Sequence, residues 1–312
     1  MTTSPSVELR GVVPVIPTPF RADESIDFDA LAACVRFAAG CEVSAVCLPA
    51  YASEFYKLTE SERRKLVETA IQAADGWVAV MAQSNHPSAR CAAELAKQHE
   101  QMGADLISFA IPRQFGLPDA DVLDYCRSIC NAVALPVLIQ DFNPGGPTVG
   151  GEFARQLSDK CENFRYLKLE EPLMSGKVRA IRAACDDRIG VLEGWGGMYM
   201  LDLIPVGICG LMPGLGPADL LQRVWQLGTG GQFDEALDLF QVLLPQLVFT
   251  LQNMELFLCL EKKLLAARGV LPDSSTHVRR PTWTPDADTL EYGLQLNRRV
   301  IGACERLGSE QQ

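Results

Sequence analysis

Residues 165–172 read RYLKLEEP. Lys168 stands between two leucines in a short run of strand character, and Glu170 follows two positions later. Side chains of a strand alternate faces, so Tyr166, Lys168 and Glu170 share one face while Leu167 and Leu169 share the other. Where the leucine face meets helices, the lysine points into an interior. An ammonium there loses hydration, which favours the neutral amine. A neutral amine attacks a ketone or 2-oxo acid to form a Schiff base, and the iminium is an electron sink for making or breaking the adjacent C–C or C–O bond. A surface strand holding Tyr, Lys and Glu in water fits the same pattern. The surrounding elements decide between the two.

Eight short apolar runs punctuate the first two-thirds of the chain: residues 11–19, 45–50, 77–83, 106–112, 136–142, 166–171, 189–194 and 207–214. Segments such as FDALAACVRFAAG, ESERRKLVETAIQAA and SARCAAELAKQHEQMG lie between them, with apolar residues at helical spacing. Thr59 and Glu62 form a capping-box pattern at the start of one. Most of the runs are apolar on both faces, as parallel strands joined by helical crossovers are. Eight such units predict an α/β fold, a (β/α)8 TIM barrel over residues 1–222. A doubly wound open sheet is the structural alternative, though no G-x-G-x-x-G follows a strand. From about residue 214 the pattern turns to wide-faced helices, predicted as a C-terminal helical extension over residues 223–312. In a barrel Lys168 points inward near the C-terminal mouth, where such folds carry their chemistry.

The chain has 312 residues and a formal net charge of −11, which argues against nucleic acid and anionic membrane surfaces as partners. Eleven cysteines are scattered without C-x-x-C pairs, the usage of a reducing, cytoplasmic protein. The opening MTTSPSVELRG has neither a basic nor an apolar signal region, and the apolar stretch around Leu239–Leu260 is interrupted by polar residues. Three isolated histidines and no acidic ligand cluster predict no metal, and no cofactor is expected. His86 is assigned to the rim or an interface, His99 to a helix surface and His277 to a loop.

These pieces, in order, resemble the dihydrodipicolinate synthase / N-acetylneuraminate lyase family of Schiff-base barrel enzymes. The likeness runs from about Leu9 to about Arg306. GVVPVIPTPF resembles the family's first strand. YASEFYKLTESERRKLVE stands where the family has a Gly-Thr-Thr-Gly-Glu loop, AQSNHPSA resembles the end of strand three, YLKLEEP carries the lysine, and GICGLMPG looks like strand eight. The resemblance implies Lys168 as the imine former. It further implies that backbone N–H groups of Tyr51, Ala52 and Ser53 hold the substrate carboxylate, with Cys209 of the GICGLMPG run as a further substrate contact. Homo-oligomers, dimers or tetramers, are implied too.

Departures from the family pattern bear on the reaction. Tyr51 and Ala52 replace the two threonines, the second of which belongs to the family's proton relay; Ser53 or Tyr51 is left to supply a hydroxyl. Gln140, in LIQDFNPGGP, falls where the family keeps its acid/base tyrosine. A Gln orients groups but does not titrate. Asp141 enters the pocket only if the register slips by one, which would also turn Ile139 and Phe142. Arg113 and Gln114 replace an interface tyrosine, so Arg113 is assigned to a subunit contact or a substrate carboxylate. The arginine that holds a synthase's second substrate is missing from NPGGPTVGG. Glu170 is placed to accept a proton or to pair with Lys168, and such a pair favours the ammonium. Glu193 and Trp195 are assigned to the mouth.

The expected function is a Schiff-base aldolase, synthase or dehydratase acting on pyruvate or a related 2-oxo (deoxy sugar) acid, with Lys168 and Gln140 as the catalytic pair. The lost relay keeps a second reading open: an impaired member that binds 2-oxo acids as a regulatory or binding protein. A barrel of unrelated chemistry, in which Lys168 pairs structurally with Glu170, is the third.

Overall fold

The computed structural model describes residues 7–143 and 146–310. Part of the opening segment read for a leader, and two residues of NPGGPTVGG, lie outside the described residues.

The eight apolar runs each coincide with a strand, the sixth beginning two residues before its run. These are β1 (Gly11–Val12), β2 (Ala45–Leu48), β3 (Ala79–Gln83), β4 (Leu106–Ala110), β5 (Val137–Asp141), β6 (Phe164–Leu169), β7 (Gly190–Glu193) and β8 (Gly210–Leu211). All pair in parallel, in the order β1-β8-β7-β6-β5-β4-β3-β2. Single bridges from Val15 to Cys47 and to Gly214 close the ring. β1 is shorter than its run because Pro14, Pro17 and Pro19 have no N–H to give a ladder. Its remaining polar groups still pair, with the Ile16 N–H donating to Cys47 O at 3.0 Å and the Cys47 N–H to Pro14 O at 3.0 Å.

Helices α1 (Phe28–Gly40), α2 (Glu60–Ala74), α3 (Ala89–Met102), α4 (Asp119–Cys130), α5 (Gly151–Ser158), α6 (Ser175–Ala184), α7 (Met200–Leu203) and α8 (Ala218–Thr229) follow the strands in turn. The expected capping box opens α2: the Glu62 N–H donates to Thr59 Oγ1 at 3.2 Å, and the Thr59 N–H to Glu62 Oε2 at 2.9 Å. α7 is one turn long and escapes a search for helical periodicity. The architecture is the (β/α)8 barrel, with α9 (Phe233–Thr250), α10 (Met254–Ala267) and α11 (Ala287–Glu310) forming the C-terminal extension. The division expected at residue 222 is corrected by the structure. It would cut α8, which is the barrel's eighth helix and runs unbroken to Thr229; Gly230 and Gly231 make the natural joint.

The strands are buried on both faces. Outward residues such as Val46, Val80, Ile139 and Leu167 pack under the helices. Inward residues, among them Cys47, Met81, Leu106, Leu138, Tyr166 and Leu192, fill the barrel as a second cluster. Tyr166 plugs the bottom, its hydroxyl accepting the Leu9 N–H at 3.0 Å. One layer above it the interior turns polar.

Candidate active site

Lys168 follows Tyr166 by one inward step on β6, which puts its amine at the C-terminal mouth, 6% exposed. A cavity of about 230 Å³ opens beside it, lined by Tyr51, Gln140, Lys168, Glu170, Trp195 and Phe257 among others. The surface-strand reading of RYLKLEEP therefore does not hold. Lys168 Nζ lies 2.8 Å from Glu170 Oε1. β5 and β6 pair with Gln140 beside Lys168, and Gln140 Nε2 donates to the same Glu170 oxygen at 2.5 Å. The register thus selects Gln140 for the pocket. Asp141 points outward into the loop layer, fully buried. It receives both Arg113 Nε (2.9 Å) and Nη2 (2.7 Å), and also the Val149 N–H (2.7 Å). Arg113 is thereby occupied within its own chain.

Behind Gln140 the polar chain continues. Gln83, the inward residue at the end of β3, donates from Nε2 to Gln140 Oε1 at 2.7 Å. Cys47 Sγ sits 3.9 Å from Gln83 Oε1 and 3.7 Å from Ser108 Oγ. Gln83 was legible as an inward strand end by alternation from Met81, but a lone Gln carries no chemical signature in sequence.

Between β2 and α2 the chain makes a 3-10 turn, Tyr51–Ser53. The first N–H groups of such a turn have no acceptor within it, and Tyr51 and Ala52 both line the cavity. Ser53 does not. Its N–H donates to Ala50 O at 3.0 Å; its hydroxyl donates to Ile16 O at 2.6 Å and accepts the Ala50 N–H at 3.0 Å. Ser53 is corrected from a substrate contact to a strut of the loop, because β1 and the turn consume its hydrogen-bonding capacity. Burial, with the Glu170 charge second, pushes the Tyr51 phenol above its usual range. Its ring meets Phe142 edge-on at 6.0 Å, and Phe142 lies 5.9 Å from Trp195, giving the mouth an aromatic wall.

Glu193 is on the outward face of β7 and does not enter the cavity. Its carboxylate accepts the N–H groups of Trp195 (3.0 Å) and Gly197 (2.6 Å), folding the turn that presents Trp195. Burial pushes Glu193 up to about 7. At Gly194 a Cβ would fall 2.4 Å from Glu170 Cγ and 2.9 Å from Lys168 Cε, so only glycine leaves room for the pair.

Cys209 is corrected as well. It precedes β8, at the opposite end of the barrel from Lys168, against Tyr166 and Gly190, and it lines a separate groove at the bottom. His99, assigned to a helix surface, is buried. Its Nδ1 lies 2.9 Å from Ser84 Oγ, and burial holds the ring down to about 4. Sequence reasoning also missed the roof: the turn from Leu251 to Met254, between α9 and α10, closes over the cavity. Among the described residues no group of three or more His, Cys, Asp or Glu could hold a metal ion.

The class these features define is a (β/α)8 barrel with a buried lysine–carboxylate pair at its C-terminal mouth. The profile of the Dihydrodipicolinate synthetase family matches residues 8–293, and the chain belongs to that family of Schiff-base lyases. It is 26% identical over 307 residues to an L-2-keto-3-deoxyarabonate dehydratase of Azospirillum brasilense, covering 96% of this chain and 99% of that one. It is 26% identical over 242 residues to a 4-hydroxy-tetrahydrodipicolinate synthase of Methanococcus vannielii, covering 76% and 81%. Among solved structures, a dihydrodipicolinate synthase of Rhodopseudomonas palustris superposes with a TM-score of 0.87 at 24% identity, covering 95% of this chain and 99% of that one. The N-acetylneuraminate lyase of Fusobacterium nucleatum gives 0.83 at 18%, covering 94% and 99%. At those identities the superpositions speak for the fold.

Proposed function

We propose that the protein is a Schiff-base dehydratase of a short 2-oxo acid bearing a hydroxyl two carbons from the ketone, a 2-keto-3-deoxy sugar acid. The observation that carries this reading is the buried triad of Lys168, Glu170 and Gln140. The pair of ammonium and carboxylate stores a proton that has only a 2.8 Å hydrogen bond to cross. Transfer of that proton to Glu170 as the substrate binds leaves Lys168 as the neutral amine that attacks.

The substrate carboxylate sits at the N–H groups of Tyr51 and Ala52. Lys168 attacks the ketone carbon, and the resulting carbinolamine takes a proton from Glu170 as it loses water. Glu170 then removes a proton from C3, and the electron pair flows to the iminium nitrogen. The enamine expels the C4 hydroxyl, which leaves as water with the proton from Glu170. Hydrolysis of the imine returns Lys168. Gln140 does not titrate; it holds Glu170 in place. Glu170 thus takes up the proton transfer that the absent tyrosine performs elsewhere in the family, which favours turnover over the impaired binding-protein reading. The near-complete overlap with the dehydratase relative supports dehydration over aldol chemistry.

The fit of the substrate rests on the small cavity and its aromatic wall. A homo-oligomer and a cytoplasmic location belong to the same proposal. The first is supported by exposed Phe115 and Leu117 beside the β4–α4 loop, the second by eleven free cysteines. No helix among the described residues is long and apolar enough to cross a membrane.

The test is turnover of 2-keto-3-deoxyarabonate, followed as loss of substrate and gain of a dehydrated 2-oxo product. Lys168→Met is expected to abolish it, and Glu170→Gln to lower kcat by about a hundredfold or more. Wild-type protein that cleaves the carbon chain instead would replace the dehydratase reading with an aldolase.

A further inference from the structure

The barrel interior carries a directional chain of side-chain amides that the reaction steps above do not use. An ionised carboxylate only accepts hydrogen bonds, so Glu170 requires the N–H₂ end of Gln140, found at 2.5 Å. That leaves Gln140 Oε1 facing away, where it needs a donor, and Gln83 Nε2 meets it at 2.7 Å. Gln83 Oε1 in turn faces the Cys47 thiol at 3.9 Å. Gln83, Gln140, Cys47 and Ser108 are all buried, so water does not substitute for a missing member. The polarity of the whole chain follows from one end and is held by the other.

We propose that Gln83 is a positioning residue for proton transfer. By donating to Gln140 it fixes the amide with its N–H₂ toward Glu170, which keeps Glu170 aimed as the base that takes the C3 proton of the substrate imine. Without that donor the Gln140 amide is free to turn its oxygen toward the carboxylate, an acceptor facing an acceptor. Gln83 does not line the cavity and touches no substrate; it acts through Gln140. The inference rests on the Schiff-base reading and adds to it a residue with no reactive chemistry of its own.

The test separates imine formation from proton transfer, with pyruvate as the probe. Borohydride trapping reports the imine. Exchange of the methyl protons for deuterium in D₂O, followed by NMR, reports removal and return of the C3 proton. Gln83→Met is expected to trap pyruvate on Lys168 within about twofold of wild type and to exchange its methyl protons about tenfold more slowly, the loss of one buried amide hydrogen bond. A residue acting through Gln140 has no effect once Gln140 is gone, so adding Gln83→Met to Gln140→Met is expected to change nothing further. A structural role gives additive losses instead. Unaltered exchange in Gln83→Met, or the same loss repeated on top of Gln140→Met, overturns the proposal. Should Gln83→Met not fold, Gln83→Asn keeps the amide one methylene short of Gln140. It is expected to show the same slow exchange, and full exchange overturns the idea. Wild-type protein that traps pyruvate yet exchanges no methyl protons overturns this inference together with the role of Glu170 as base, and leaves imine formation standing; wild-type protein that no 2-oxo acid modifies removes the lyase reading beneath it.

Discussion

The lysine fits at its position because of what its neighbours omit as much as what they supply. Gly194 carries no side chain where any Cβ would collide with Glu170 and Lys168. Gly194→Ala is expected to push the pair apart and to lower kcat by about a hundredfold or more, since misplacing reacting groups by about 1 Å costs on that order; thermal denaturation of the same variant checks that the fold survives. Lys168 and Glu170 were legible in sequence because strand alternation puts them on one face, and Gln140 because it stands where the resembled family keeps a tyrosine. Ser53 and Cys209 were not. A hydroxyl's fate depends on which backbone groups compete for it, and two of them, Ile16 O and the Ala50 N–H, claim the Ser53 hydroxyl here. Cys209 stands at the base of β8 rather than its top, which a run of eight apolar residues leaves open.

At the scale of elements, the extension is tied to the Tyr51–Ser53 turn by a buried ion pair. Lys262 of α10 is 0% exposed. Its amine donates to Glu54 Oε1 at 2.6 Å and to His277 O at 2.7 Å, and lies 4.7 Å from the centre of the Phe20 ring. Burial pulls Lys262 below its usual range, and Glu54 opposes that shift. Glu54 ends the Tyr51–Ser53 turn in a left-handed conformation, φ 58°. Lys262→Met leaves the buried Glu54 with Lys57, 3.1 Å away, as its remaining cation and is expected to destabilise the fold by up to about 3 kcal/mol, measured by urea unfolding. A loss within about 0.5 kcal/mol, as for a surface site, would show that the loop needs no such anchor. The strand–helix repeat was readable because most of the runs are apolar on both faces. The joint between barrel and extension was not, because α8 and α9 have the same helical period and only Gly230 and Gly231 part them.

Over the whole molecule, two buried carboxyls set a pH dependence. Burial pushes both Glu193 and Glu261 up to about 7. Glu261 accepts the Gly216 N–H through Oε1 at 2.6 Å, while its Oε2 has no hydrogen-bond partner among the described residues. A carboxyl raised on folding binds more protons folded than unfolded. Its contribution is full below its ordinary value of 4.5 and is lost as pH rises through about 7. His99, held down to about 4, works in the opposite sense, its contribution being lost as pH falls from 6.5 through about 4. Comparison with a variant isolates one group: from pH 5 to 8, wild type is expected to lose a few kcal/mol of unfolding free energy relative to Glu261→Gln. Parallel curves would contradict the assignment. Nothing in the local pattern MELFLCLEKKLL marks Glu261 as buried, since that depends on where α10 lands against the end of β8.

The central claim is that the amine of Lys168 forms an imine with a 2-oxo acid. Its most direct test is borohydride reduction in the presence of pyruvate or 2-keto-3-deoxyarabonate, followed by mass spectrometry of the digested protein. The account expects the peptide containing Lys168, and no other, to gain the mass of the reduced 2-oxo acid adduct. An unmodified Lys168 across both compounds, or an adduct on a different lysine, would contradict it.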